Sequence, residues 1–154
     1  MSELNSIQQI VLNNIITVMP TSSLTEQVFA DVLLRLDYFG YVVNEGDSWV
    51  LSFSIQKIEN NIKNSCNITS IPNELFNTVI DMVCGEFLFS KKSSGQLQGF
   101  TLNLDAAVKQ IQEGDTSVSF GDGSKTPEQR LDLLIAYLMQ NGKSEFVQYR
   151  RLKW

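Results

Sequence analysis

Between Pro72 and Lys91 the apolar residues Leu75, Phe76, Val79, Ile80, Val83, Cys84, Phe87 and Leu88 recur in pairs three to four residues apart. That spacing is the period of an α-helix, and a stripe two residues wide covers more than half of its circumference. Such a helix has to be surrounded, so the pattern predicts the central helix of the fold over residues 73–91. Pro72, two residues before Glu74, suits its first turn.

Shorter stripes predict the helices around it. Leu4, Ile7, Val11, Ile15 and Val18 give one buried face over residues 4–18, closed by Pro20. Thr21, Ser22 and Ser23 offer N-caps for a second helix over about 24–37, with the row Leu24, Val28, Val32 and Leu36. Gly40 and the cluster Asn44-Glu45-Gly46-Asp47 form a break. Asp47 or Ser48 then caps a third helix, whose buried row is Leu51, Ile55, Ile58 and Ile62, with Lys57, Glu59, Asn60 and Lys63 on other faces. Thr126-Pro127-Glu128-Gln129 reads as a helix start with Thr at the cap, Pro at the first position and Gln at the third. That helix runs through Leu131, Leu134, Ile135 and Leu138 to Gly142.

The expected fold is therefore mainly all-α. It is a small helical bundle of about five helices over residues 1–142, with an extended C-terminal tail over 143–154. One stretch departs from the pattern. Residues 92–125 hold five of the nine glycines (95, 99, 114, 121 and 123), a short helix candidate over 105–112, and the alternating run Thr116, Ser117, Val118, Ser119 and Phe120. A lone strand needs a partner, so this stretch is expected to be an exposed excursion, with 116–120 pairing between subunits where none exists within its own.

Composition narrows the function. There is no histidine, which removes Ser-His-Asp and Cys-His hydrolases and His-ligated zinc together. A net charge of −5 argues against a general polyanion binder. No apolar run nears 18 residues and the Met1-Ser2-Glu3 start has no basic region, so neither a membrane span nor secretion is expected. Cys66 and Cys84 read as free structural thiols. Gly121-Asp122-Gly123-Ser124 lacks the carboxylates of a calcium loop, and Gly123-Ser124-Lys125-Thr126 has the wrong order for a phosphate loop. Asp37, Asp47, Asp81 and Glu86 form no acid/base set, since Asp81 and Glu86 point apart on one helix and capping accounts for the others. No enzyme, metal or cofactor is expected.

The ends of the chain differ sharply in charge. Lys143, Arg150, Arg151 and Lys153 against Glu145 leave residues 143–154 at +3, so the rest of a chain of −5 carries −8. Phe146, Tyr149, Leu152 and Trp154 are interleaved with those charges, and aromatic and Arg residues are the usual anchors of interfaces. The tail is read as a docking element.

From Gly46-Asp47-Ser48-Trp49 and Ile55-Gln56-Lys57-Ile58-Glu59-Asn60-Asn61-Ile62-Lys63-Asn64, through Ile71-Pro72-Asn73-Glu74-Leu75, Asp81-Met82-Val83 and Gly85-Glu86-Phe87-Leu88, the chain resembles the head–tail connector (adaptor) proteins of tailed bacteriophages. The likeness is to connectors from phages and prophages of Gram-positive bacteria. It continues in Ala107-Val108-Lys109-Gln110-Ile111, Glu113-Gly114-Asp115-Thr116-Ser117-Val118-Ser119-Phe120, Thr126-Pro127-Glu128-Gln129-Arg130-Leu131-Asp132 and Tyr149-Arg150-Arg151-Leu152-Lys153-Trp154, covering about residues 40–154.

The resemblance implies a small helical bundle assembled as a ring, a dodecamer in that family, between the portal protein and the next neck or tail component. That component would be a head-closure or tail terminator protein. It implies a virion neck location after assembly in the host cytoplasm, with DNA only as passing cargo. It also makes Tyr149, Arg150, Arg151, Leu152, Lys153 and Trp154 the portal-docking tail. An acidic body suits a channel that passing duplex must not stick to. The readings set against it are a small helical regulatory or DNA-binding module using the basic tail, and an enzyme working through carboxylates.

Overall fold

A computed structural model describes residues 3–98, 102–105, 107 and 126–151. Among them are five helices: α1 (Ser6–Val18), α2 (Glu26–Tyr38), α3 (Asp47–Cys66), α4 (Phe76–Ser93) and α5 (Pro127–Gln140). A 3-10 turn, Asn73–Leu75, leads into α4, and a 3-10 helix, Lys143–Tyr149, follows α5. The protein is mainly all-α, as the apolar periods predict.

Local chemistry sets the helix starts. Asn5 caps α1 in a reciprocal box with Gln8: the Asn5 N–H donates to Gln8 Oε1 and the Gln8 N–H to Asn5 Oδ1, both at 2.8 Å. Thr126 and Gln129 make the same box on α5, with Pro127 at the first position. The cap of α2 is Thr25, not Thr21, Ser22 or Ser23. Ser22 and Ser23 instead donate their hydroxyls to the Glu59 carboxylate on α3, with the Ser23 N–H adding a third bond. Neither Asp47 nor Ser48 caps α3, whose N-cap is Gly46. Asp47 turns inward and is buried.

Helix α4 is central. Val79, Val83, Cys84, Phe87 and Leu88 are fully buried, between α2, α3 and α5, while α1 packs on α2 and α3. Burying one such side chain is worth roughly 1.5–3 kcal/mol, so this row supplies much of the stabilisation. The Lys91–Asp47 and Lys57–Glu86 ion pairs set α3 and α4 antiparallel. Gly85 lets α5 come close to α4: a Cβ there would lie 2.7 Å from Met139 Cγ and 3.0 Å from Leu138 Cβ.

Two expectations need correction. Of residues 92–125, those described are seated on the bundle by four buried side chains instead of standing clear of it, although 93–96, 98, 103 and 105 are exposed. Lys92 and Ser93 finish α4, and Leu97, Leu102, Leu104 and Ala107 are buried in the core. The Asn103 N–H donates to the Phe39 carbonyl at 2.9 Å, beside Gly40, whose φ of +90° and closeness to Asn103 leave no room for a Cβ. The physical reason is apolar content: these leucines have more to gain from the core than the glycines have from freedom. The tail is also not extended over 143–149, which forms the 3-10 helix with Phe146 buried, and becomes extended only at Arg150. The strand residues Thr116, Ser117, Val118, Ser119 and Phe120 lie outside the described residues, as do Leu152, Lys153 and Trp154.

Candidate interaction site

The basic C-terminal segment is fastened to the end of α3. Asn67 closes that helix in the left-handed conformation, φ 55°, and its amide group donates to the Arg151 carbonyl at 3.3 Å. The Arg151 N–H donates to the Cys66 carbonyl at 2.8 Å, satisfying one of the orphan acceptors at the helix end. The Cys66 thiol donates to the Phe146 carbonyl at 3.6 Å. Burial raises the Cys66 thiol above its ordinary range, and the nearby Arg150 charge only partly offsets this.

On its other side, the segment rests on α4. The Thr78 hydroxyl donates to Glu145 Oε2 at 3.1 Å, and Gly142 passes so close to Thr78 that a Cβ would stand 2.2 Å from its Cγ2. Tyr149 packs half-buried on the core, whereas Arg150 and Arg151 are exposed. Three of the six predicted tail residues are thus placed: one as a partial anchor and two as cations at the surface.

Beside this segment runs a groove of about 520 Å³ between α3, α4 and the end of α5. Ile58, Ile62, Met82, Met139 and Phe146 give it an apolar lining, and Lys57, Lys143 and Arg150 stand around it. Lys57 Nζ meets Glu86 Oε1 at 2.8 Å, so among the described residues Lys143 and Arg150 are the groove's surplus cations. One turn from Lys57 on α3 is Phe53, and one turn from Glu86 on α4 is Phe89. The antiparallel register puts both toward the same end, and both rings are more than half exposed. The groove escapes a reading of the sequence because its walls, at Ile58 and Met139, come from distant parts of the chain. Phe53 and Phe89, large aromatics off the buried rows, mark the neighbouring surface and not the groove lining.

A second, shallower depression of about 440 Å³ lies between α2 and α4, lined by Asp31, Leu34, Arg35, Asp37, Tyr38, Ile80 and Asp81. Arg35 pairs with Asp81 at 2.9 Å, leaving Asp31 and Asp37 without a cation among the described residues. Burial raises the Asp81 carboxyl above the usual range, and Arg35 partly restores it.

Asp37 is exposed, Asp47 is held by Lys91, and Glu86 is held by Lys57, so the carboxylates considered from the sequence are dispersed. No helix among the described residues is long and apolar enough to cross a membrane. The arrangement is that of two oppositely charged, partly apolar surfaces on one helical bundle. No family model, no curated protein and no solved structure matches this chain.

Proposed function

We propose that this chain is a structural head–tail connector: a subunit of a ring, twelve-fold by the family resemblance, in the neck of a tailed phage virion. Its partners are the portal protein, further copies of itself, and the next neck or tail component. DNA passes through as cargo, no membrane takes part, and the chain performs no catalysis.

The observation that supports this reading best is the mounting of the C-terminal segment. Phe146 and the Arg151–Cys66 bond fix its base, while Arg150 and Arg151 remain exposed beside Val147, itself largely exposed. A rigid base with exposed cations and an apolar neighbour suits a protein partner that supplies carboxylates and apolar contact. One such contact per subunit, repeated around a ring, gains strength through multivalency.

Pull-down with the portal protein tests this. Removing residues 152–154 together with Arg150→Ser and Arg151→Ser should leave the helical signal in circular dichroism unchanged and abolish portal binding. Full-strength binding by that variant overturns the assignment. The basic segment also suits the regulatory or DNA-binding alternative, which requires duplex affinity that falls steeply with salt.

A further inference from the structure

Along the rim of that second depression, helix α2 presents an outer ridge that matches the basic groove in charge. Gln27, Asp31, Leu34 and Tyr38 recur at steps of four, three and four, so they share one outer face, and Asp37 adjoins it. Tyr38 is 52% exposed and Leu34 is half-buried, which gives an apolar stripe flanked by Asp31 and Asp37. The groove between α3 and α5 offers the counterpart: an apolar lining of Ile58, Met82 and Met139, and Lys143, which has no anionic partner among the described residues, Arg150 being assigned above to the portal contact.

Each surface thus satisfies one ion pair internally, Arg35–Asp81 or Lys57–Glu86, and keeps charges of one sign for something else. The two surfaces lie on different sides of α4: Asn77, Ile80 and Asp81 face the ridge, whereas Met82 and Glu86 face the groove. A copy engaged through its ridge therefore keeps its groove available for the next.

From this we propose that the α2 ridge of one copy seats in the α3–α5 groove of a second copy, a head-to-tail contact of the helix-in-groove kind. The occupant is a second copy because the same chain carries both complementary surfaces. A contact of this type repeats around a closed ring or along an open filament, since each subunit uses one ridge and one groove. The inference deepens the ring reading above and rests on it only for closure.

Charge reversal tests the contact at two exposed positions, Asp37 on the ridge and Lys143 at the groove. Sedimentation velocity and native mass spectrometry of the full chain should show concentration-dependent association that weakens in high salt. Asp37→Lys and Lys143→Glu should each lower the association constant about tenfold or more, because like charges then face each other. Mixing the two variants should restore assembly as an alternating series. Successive contacts then carry either both native charges or both reversed ones, and opposite signs meet in each.

A wild-type chain that stays monomeric at its highest soluble concentration overturns the proposal. So does association that neither reversal weakens, or failure of the mixed variants to recover while both remain folded by circular dichroism. A monomeric chain that still binds portal through its tail removes this contact and leaves the connector reading. An assembling chain that ignores the portal does the reverse.

Discussion

Lys91 Nζ lies 2.8 Å from Asp47 Oδ1, joining the last turn of α4 to the first turn of α3 where both side chains are buried. The pair is completed on every side. Lys91 also donates to Gln96 Oε1 at 2.6 Å, and Asp47 Oδ2 accepts from the Tyr41 hydroxyl at 2.9 Å and the Asn44 N–H at 3.1 Å. Burial, followed by the bond to Asp47 and its charge, pushes the Tyr41 hydroxyl well above its ordinary range, so it stays a donor. The Tyr41 ring in turn meets Phe87 edge-on at 5.2 Å. Lys91→Met should therefore destabilise the protein by about 3–5 kcal/mol, because Asp47 is left buried without its cation. Adding Asp47→Leu should recover part of that loss, and urea unfolding of the single and double variants measures both.

Glu59 gives the protein an acid-sensitive joint. Burial alone would raise its carboxyl, but the bonds from Lys63, Ser22 and Ser23 together with the Lys63 charge outweigh that and hold it below the usual range. A lowered folded-state value means that this stabilisation is complete above the unfolded-state value. It is lost as pH falls through the folded one. Glu59→Gln should be less stable than wild type at neutral pH and should converge with it in acid. Parallel stability curves across that range would show that Glu59 does not hold the loop between α1 and α2. Asp81, raised by burial, contributes with the opposite sign, so Glu59→Gln is best compared in an Asp81→Asn background as well.

Gly142 and Thr78 are coupled by contact. A Cβ at 142 would stand 2.2 Å from Thr78 Cγ2 and 2.7 Å from its Oγ1. Gly142→Ala should cost about 1–3 kcal/mol through overpacking. Thr78→Ala should relieve most of that in a double-mutant cycle. An additive cycle would mean that the 3-10 helix shifts away from α4 without resistance.

Both thiols are fully buried, Cys84 beside the Val32 carbonyl at 3.8 Å and Cys66 beside that of Phe146. Burial raises both, and for Cys84 the Asp81 charge adds to it. Alkylation should therefore be slow in the native protein and complete after unfolding. Faster labelling of Cys66 than of Cys84 would report opening of the C-terminal segment, because that segment covers Cys66 alone.

Val83, fully buried on the central helix, provides a direct check of the fold. Val83→Asp places an unpaired charge in the core, at a cost on the order of the net stability itself, and should abolish cooperative unfolding. A folded, cooperative variant would show that the α4 stripe does not form the core.

Helix positions were legible because their causes are local. The apolar rows of α2 to α5 and the box of Thr126 and Gln129 each involve residues within a few positions of one another, and their period specifies them. In the α1 row, by contrast, Val11 and Ile15 are buried but Ile7 and Val18 are exposed. The charges were not legible. Lys91 stands four residues beyond Phe87 and Asp47 four before Leu51, both on buried rows, so their positions marked them as inward while their chemistry read as surface or cap. Only the antiparallel seating of α3 against α4 brings the two together and makes their burial tolerable. Ser22 and Ser23 likewise had the right type to cap α2, but Glu59, far along the chain, competes for their hydroxyls and wins. The seat of the C-terminal segment on Cys66, and the two oppositely charged surfaces flanking α4, depend on the same thing. Neighbouring residues were enough to specify where the chain coils, because a helix is made of neighbours. Which charges pair and which face outward came from the packing of the helices, because Coulombic and hydrogen-bond partners are chosen by distance in space, which no local pattern encodes.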